Sequence, residues 1–243
     1  NPINGIKYTS SDAKQWQDRR PMAVMIDNHV DARPQKGLSY ADLVYEAVAE
    51  GGITRFLAVF HSRLPNTVGP VRSARVYYVD WAKEYDAWYA HWGRAQSDNE
   101  ANAFARMQSI FVSSIESEAA CAYDETLARD LEHTLYCTPE ILYEEGYKLY
   151  PDQTKSFKGL SAWTFKDTKV DVGTYDTASN ISFNFWEMPG FETEWRYNET
   201  TNQYDRYQGG EIQKDALNNE TISAANVIVT FMQERSLNDD KGH

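Results

Sequence analysis

The 243 residues carry 24 Lys and Arg against 36 Asp and Glu, a formal net charge of −12. Such a field repels the phosphates of nucleic acid and disfavours an anionic membrane surface as a docking site. The hydrophobic fraction of 42% and charged fraction of 25% are those of a folded globular chain, and no run of 18 apolar residues is present to cross a bilayer.

Residues 1–20 are polar and read as a loosely attached lead-in segment. Met22 to Ile26 is a short apolar run opened by Pro21 and closed by Asp27-Asn28, the texture of a buried strand. A turn at Arg33 to Gly37 leads to a predicted helix over 39–50, with Ser39 and Asp42 at capping-box spacing and Leu43, Val44, Ala47 and Val48 as its apolar stripe. Gly51-Gly52 would stop that helix. A strand follows at 53–60, a helix at 73–85 with Ser73 as its N-cap, and a strand at 87–91. Next come a helix at 98–107, a strand at 110–115, and a helix opened by Thr138-Pro139 and running to about Lys148. Strands alternating with helices predict an α/β domain over 21–150 with a largely parallel or mixed sheet. Beyond Pro151 the texture changes, and a smaller, mainly antiparallel β region is expected over 151–243, with strands near 181–186, 194–197, 204–207 and 225–231. The whole is an α+β chain. Cys121 and Cys137 are either one bridge or two buried thiols.

The charge is unevenly placed: 13 basic and 14 acidic side chains in residues 1–120, but 11 and 22 in residues 121–243. The first half prefers Arg, nine to four over Lys, and Arg is the residue for forked recognition of carboxylate or phosphate. Three groups of residues bear on function. On a helix, Asp42, Glu46 and Glu50 would form an acidic ridge at i, i+4, i+8 with no Lys or Arg to offset it. Arg33, Arg55, Arg72 and Arg75 form the second group, and a helix starting at Ser73 would add its free N–H groups to Arg72 and Arg75 as an anion site. The bland alternative is a salt-bridge network between these arginines and those carboxylates. Third, His29, His61 and His91 each follow a predicted strand, beside Asp27 and Asn28. If the strands are parallel neighbours, these residues share the rim where open α/β sheets bind ligands. No HExxH, G-x-S-x-G, phosphate-loop or dinucleotide fingerprint occurs, so no metal and no cofactor is expected.

The runs Met25-Ile-Asp-Asn28, Ala32-Arg-Pro-Gln35, Gly37-Leu38, Ala41-Asp42 and Tyr45-Glu46 together resemble the YerB-like family of bacterial lipoproteins, a domain family of unknown function. So do Glu50-Gly-Gly-Ile-Thr-Arg55, Gly69-Pro-Val-Arg-Ser-Ala-Arg75, His91 and His133-Thr-Leu-Tyr136. More loosely, Trp195-Arg-Tyr197, Tyr204-Asp-Arg-Tyr207 and Asn226-Val-Ile-Val229 are similar to the family's C-terminal region. The chain departs from the family pattern at Trp92-Gly93-Arg94-Ala95, where a small-residue segment is expected, and its C-terminal region is expected to be truncated. The resemblance implies an extracytoplasmic protein of the bacterial envelope, anchored in the full-length form by an N-terminal lipid upstream of Asn1. It supplies no reaction.

Three functions follow for these residues. The first is a binding protein for an anionic or saccharide, cell-wall-related ligand, held by Asn28, Arg33, Gln35, Glu46, Arg55, Arg72, Ser73, Arg75 and His133. The second is a hydrolase or lyase of envelope polymers using Asp27 or Glu50 with His91 as proton carrier. The third is a scaffold for a protein partner, its charged motifs serving as structural glue.

Overall fold

The computed structural model describes residues 1–153, 163–166, 173 and 176–236. In chain order the N-terminal elements are a short helix α1 (Ser10–Ala13), β1 (Met22–Asp27), β2 (Leu43–Glu50), β3 (Ile53–Phe60), α2 (Val76–Glu84), β4 (Trp88–Ala90), α3 (Ala103–Ser109), β5 (Ser114–Ile115), β6 (Cys121–Tyr123), β7 (Leu135–Cys137) and α4 (Pro139–Leu149). The C-terminal elements are β8 (Asn180–Asn184), β9 (Glu192–Asn198), β10 (Gln203–Gln208), β11 (Glu211–Ile212) and β12 (Ser223–Ala224).

The first sheet has the order β2-β3-β1-β4-β5. β3 is antiparallel to both β2 and β1, whereas β4 is parallel to β1 and β5 parallel to β4. It is therefore mixed, and its central strand is covered on both faces. Met22, Val24 and Ile26 join Phe56, Phe60, Trp88 and Leu142 on the α4 side, while Ala23 and Met25 join Leu57, Tyr78, Tyr85 and Tyr89 on the α2/α3 side. The two-residue period of a strand sends alternate side chains to opposite faces, so a strand covered twice must be apolar throughout. That explains the unbroken run at 22–26. The second sheet is antiparallel, β11-β10-β9-β8, with β12 also pairing to β10. The α+β fold matches the sequence reading.

Several elements differ from the sequence reading. Residues 43–50 form a strand, not a helix. Leu43, Tyr45 and Ala47 pack on the α2 side at a spacing of two, and the Gly51-Gly52 pair, at φ +56° and +79°, makes the hairpin turn into β3. A two-residue hairpin loop of this kind needs positive φ at both positions. The lead-in is not loosely attached, since Ile3 and Trp16 are buried and Trp16 lies edge-on to His61. α2 starts at Val76 rather than Ser73, whose hydroxyl instead donates to the Trp92 carbonyl at 3.0 Å. Segment 225–231 forms no strand in the described residues, and the strand pairing at 110–115 is confined to Ser114–Ile115.

Packing is tight where α4 meets the sheet. A Cβ added at Gly146 would lie 2.4 Å from two ring carbons of Trp88, and Trp88 is fully buried. Gly146→Ala gains about 1 kcal/mol of helix propensity but forces a closed ring to move, at a cost of about 1–3 kcal/mol. A lower urea midpoint with unchanged slope is expected. A raised midpoint would mean that the α4 contact yields freely.

Candidate functional site

β1 and β4 stop pairing at Val24 and Ala90, and the chain at 70–74 slots between their carboxyl ends. Asp27 N donates to Pro70 O, Arg72 N to Met25 O, Trp92 N to Arg72 O and Ala74 N to Gly93 O, all at 2.8–3.0 Å. Arg72 is thereby planted beside Asp27 at the carboxyl ends of parallel strands, where ligands enter open α/β sheets. A single helical turn (Leu131–His133) brings His133 to the same point. That turn belongs to the loop closed by the Cys121–Cys137 disulfide, whose cysteines pair directly across β6 and β7.

Asp27 is only 2% exposed. Its Oδ2 lies 2.7 Å from His133 Nδ1 and 3.3 Å from Arg72 Nε, and its Oδ1 accepts the His29 N–H at 2.8 Å. The Arg72 approach is a charge contact rather than an aligned hydrogen bond. Arg72 Nη1 also donates to Glu132 Oε2 at 2.8 Å, and this holds the Glu132 carboxyl below its ordinary range. Because His133 Nδ1 is engaged by a carboxylate, its Nε2 is the nitrogen left for other work, and its nearest charged neighbour is Glu132 Oε1 at 3.8 Å. The His29 ring stacks on His133, with centroids 4.5 Å apart and planes 6° from parallel. A polar depression of about 720 Å³, lined by Asp31, Arg33, Arg129 and their neighbours, adjoins this group. A second cleft, about 2260 Å³, lies elsewhere, between β2 and the second sheet, with Tyr45, Trp81 and Trp195 in its walls. Glu46, Arg75 and Arg206 line that cleft too, but Arg75 is paired with Glu50 and Arg206 with Glu46.

The other sequence candidates are occupied by each other. Glu50 takes Arg55 (2.8 Å) and Arg75, and Arg55 also donates to Ser73 O at 2.6 Å. Burial, ahead of the nearby Arg75, lowers the Arg55 pKa. Glu46 accepts from Asn28 (3.0 Å), Thr54 (2.8 Å) and Arg206 of β10 (2.6 Å). Arg33 donates to the carbonyls of Asn28 (2.8 Å) and Gly190 (2.6 Å), and burial brings its pKa down to about 10, so it stays cationic at neutral pH. Gln35 bonds Asp27 O, Asn28 Oδ1 and Gln213. The acidic ridge does not exist as a helix face: Asp42 precedes the strand and accepts the His61 and Ser62 N–H groups. The compensation its carboxylates need comes from the fold itself.

The three histidines do not share a rim. β3 is antiparallel to β1, with Met22 opposite Phe60, so His61 sits at the far end of the sheet from His29. His91 is at the correct end but pairs with Gly93 O (2.9 Å) and Glu116 (3.6 Å), and its Nε2 finds no hydrogen-bond partner among the described residues. Neither Glu50 nor His91 touches Asp27. The imidazole partner of Asp27 is His133, 106 positions away along the chain. Glu132, Asp31, Glu116 and Arg206 are also in place, without local signals in the sequence.

Burial pushes both His61 and His91 down to about 4, although Asp42 and Glu116 respectively act the other way. An unfolded histidine titrates near 6.5. Between 6.5 and about 4 the unfolded chain therefore binds protons that the native chain does not, and stability falls as pH falls. The histidine share of that loss is complete below about 4. Two such groups give a slope approaching roughly 2–3 kcal/mol per pH unit. Urea midpoints from pH 7 to 5 should drop, and His91→Gln should shallow the slope; a flat profile would contradict the burial of these rings.

Residues 8–151 match the family described as "Protein of unknown function (DUF3048) N-terminal domain", and residues 181–243 match its C-terminal domain. The chain belongs to the DUF3048 family. It is 29% identical over 252 aligned positions to "Putative lipoprotein YerB" of Bacillus subtilis (strain 168), covering 98% of this chain and 69% of that protein. It is also similar to the crystal structure of YerB from Bacillus subtilis, with a TM-score of 0.72 and 27% identity over 92% of this chain and 71% of that one. The likeness agrees with the YerB-like motifs at 25–75 and with the α+β architecture. Among the described residues no helix is long and apolar enough to cross a membrane.

Proposed function

We propose that this DUF3048 chain is an extracytoplasmic, envelope-facing protein that binds an anionic or saccharide, cell-wall-related ligand at the Asp27–Arg72–His133 rim. The observation that carries the reading is the buried Asp27 carboxylate, held 2.7 Å from His133 with Arg72 alongside, at the carboxyl ends of the parallel strands. Envelope placement rests on two things. The Bacillus relative bears the name "Putative lipoprotein YerB", and a disulfide persists in an oxidising compartment rather than a reducing one. Of the four candidate arginines, Arg33, Arg55 and Arg75 are committed inside the fold. Arg72, on the rim and partly exposed, is the cation for a ligand carboxylate or phosphate.

The test is a thermal-shift panel of muropeptides, teichoic acid fragments and sugar phosphates. At least one member should raise the melting temperature, and Arg72→Gln should abolish the rise while the protein stays folded. No shift across the panel overturns the reading.

A second reading, a hydrolase or lyase of envelope polymers, is favoured by the same dyad. Asp27 orients His133 so that Nε2 is the proton-accepting nitrogen, with Arg72 near enough to stabilise developing negative charge. It uses His133 where His91 was expected. Release of reducing ends or peptides from purified cell wall, lost in His133→Gln, would support it. A wall left intact by the native chain would count against it.

A further inference from the structure

His29, Asp31 and His133 each place one ligand-capable atom within 4.8 Å of the others. We infer that these three residues bind a divalent transition metal of the zinc class. The inference goes beyond ligand binding at the same rim, and it is tested with the metal alone, so the two can fail separately.

The donor set comes first. Two imidazoles and one carboxylate suit zinc and its first-row neighbours, whereas magnesium and calcium prefer oxygen donors. Three protein ligands are also the usual number in zinc sites that keep a position open for water or substrate. Support from behind comes next. A metal-bound histidine usually gives its other ring N–H to a carboxylate, which fixes the ring and raises its basicity. Asp27 does this for His133 at 2.7 Å from a buried position, leaving Nε2 to face the metal. Charge agrees as well: Asp27, Asp31 and Glu132 contact the two imidazoles, and among the described residues Arg72 is the cation ion-paired with that group. The surplus of negative charge favours a dication.

One adjustment is required. Parallel stacked rings point their nitrogen lone pairs in parallel, so the His29 ring must turn for the two to converge. Its side chain is 27% exposed and has solvent to turn into. What it gives up is a 3.2 Å hydrogen bond from the Asp31 N–H. Asp31 itself is exposed and able to follow.

The experiment is calorimetric titration of the chelator-stripped full chain with Zn²⁺, backed by visible absorption with Co²⁺. One equivalent should bind, with the intense d–d absorption of a low-coordinate site. His29→Ala and Asp31→Asn are surface changes that leave the core alone, and each should weaken binding by about tenfold or more. Asp27→Asn should weaken it by about 10–100-fold by removing the support behind His133. No binding overturns the proposal. So does stoichiometric binding that is unchanged in the His29→Ala/Asp31→Asn double variant.

Discussion

Replacing Arg206 by alanine is expected to lower the free energy of unfolding by about 3–5 kcal/mol, the cost of stranding one partner of a buried ion pair. Arg206 is 2% exposed, and its Nη2 lies 2.6 Å from Glu46 Oε2. The guanidinium sits near the rings of Phe56 and Trp195 and donates from Nη1 to Gln213 at 3.1 Å. Arg206 belongs to the second sheet and Glu46 to the first, so this pair joins the two halves. With the arginine gone, Glu46 keeps Asn28 and Thr54, both neutral, as its donors among the described residues. Urea denaturation monitored by tryptophan emission measures the loss. The double change Arg206→Met with Glu46→Leu should recover much of it, because an apolar pair of similar volume avoids desolvating two charges. A single-variant loss below about 1 kcal/mol would mean that solvent reaches Glu46 and that other contacts hold the sheets together.

Removing the disulfide comes second. The double change Cys121→Ser with Cys137→Ser is expected to cost about 3 kcal/mol, the loop-closure value for a loop of this size; the two cysteines are 16 positions apart. The loss should be local as well as global. The closed loop carries Glu132 and His133, so its opening should raise amide exchange at Thr134 to Tyr136 and weaken whatever binds at the rim. Parallel melts with and without reductant read the first effect, and hydrogen exchange reads the second. Equal melts with full thiol titration under reductant would show that β6–β7 pairing holds the loop without the bridge.

The sequence was most legible where one physical cause dominates. An apolar run bounded by Pro21 and Asp27 is a buried strand whatever surrounds it, and Thr138-Pro139 opens α4 as expected. The misreading at 43–50 arose because Leu43, Val44, Ala47 and Val48 satisfy a helical stripe while Leu43, Tyr45 and Ala47 satisfy a strand face. A stretch of eight residues is too short for periodicity to decide. The deciding signal was available in Gly51-Gly52 followed by a β-rich run, which reads as a hairpin. The site was half legible. Asp27 and Arg72 stood out by position, but the partner of Asp27 could not be found from spacing, because a hydrogen bond between residues 27 and 133 exists only once the sheet and the bridged loop are assembled. The arginines posed the opposite problem. Their residue type suggests anion recognition, and only three dimensions reveal that Glu50, Ser73 and Gly190 already satisfy most of them.

The strand order also sets a sequence of events. β2 and β3 meet across two glycines, so that hairpin can close as soon as both strands exist. β1 waits longer. Its antiparallel partner pairs Met22 with Phe60, and its parallel partner pairs Met22 with Trp88. The first strand to emerge, apolar from Met22 to Ile26, therefore pairs with strands that lie far along the chain from it. Until residue 60 is available, the run Met22 to Ile26 has no native surface to cover it, and contacts so distant along the chain slow folding. A protein built this way has its greatest need of a chaperone early, while its central strand is still without neighbours.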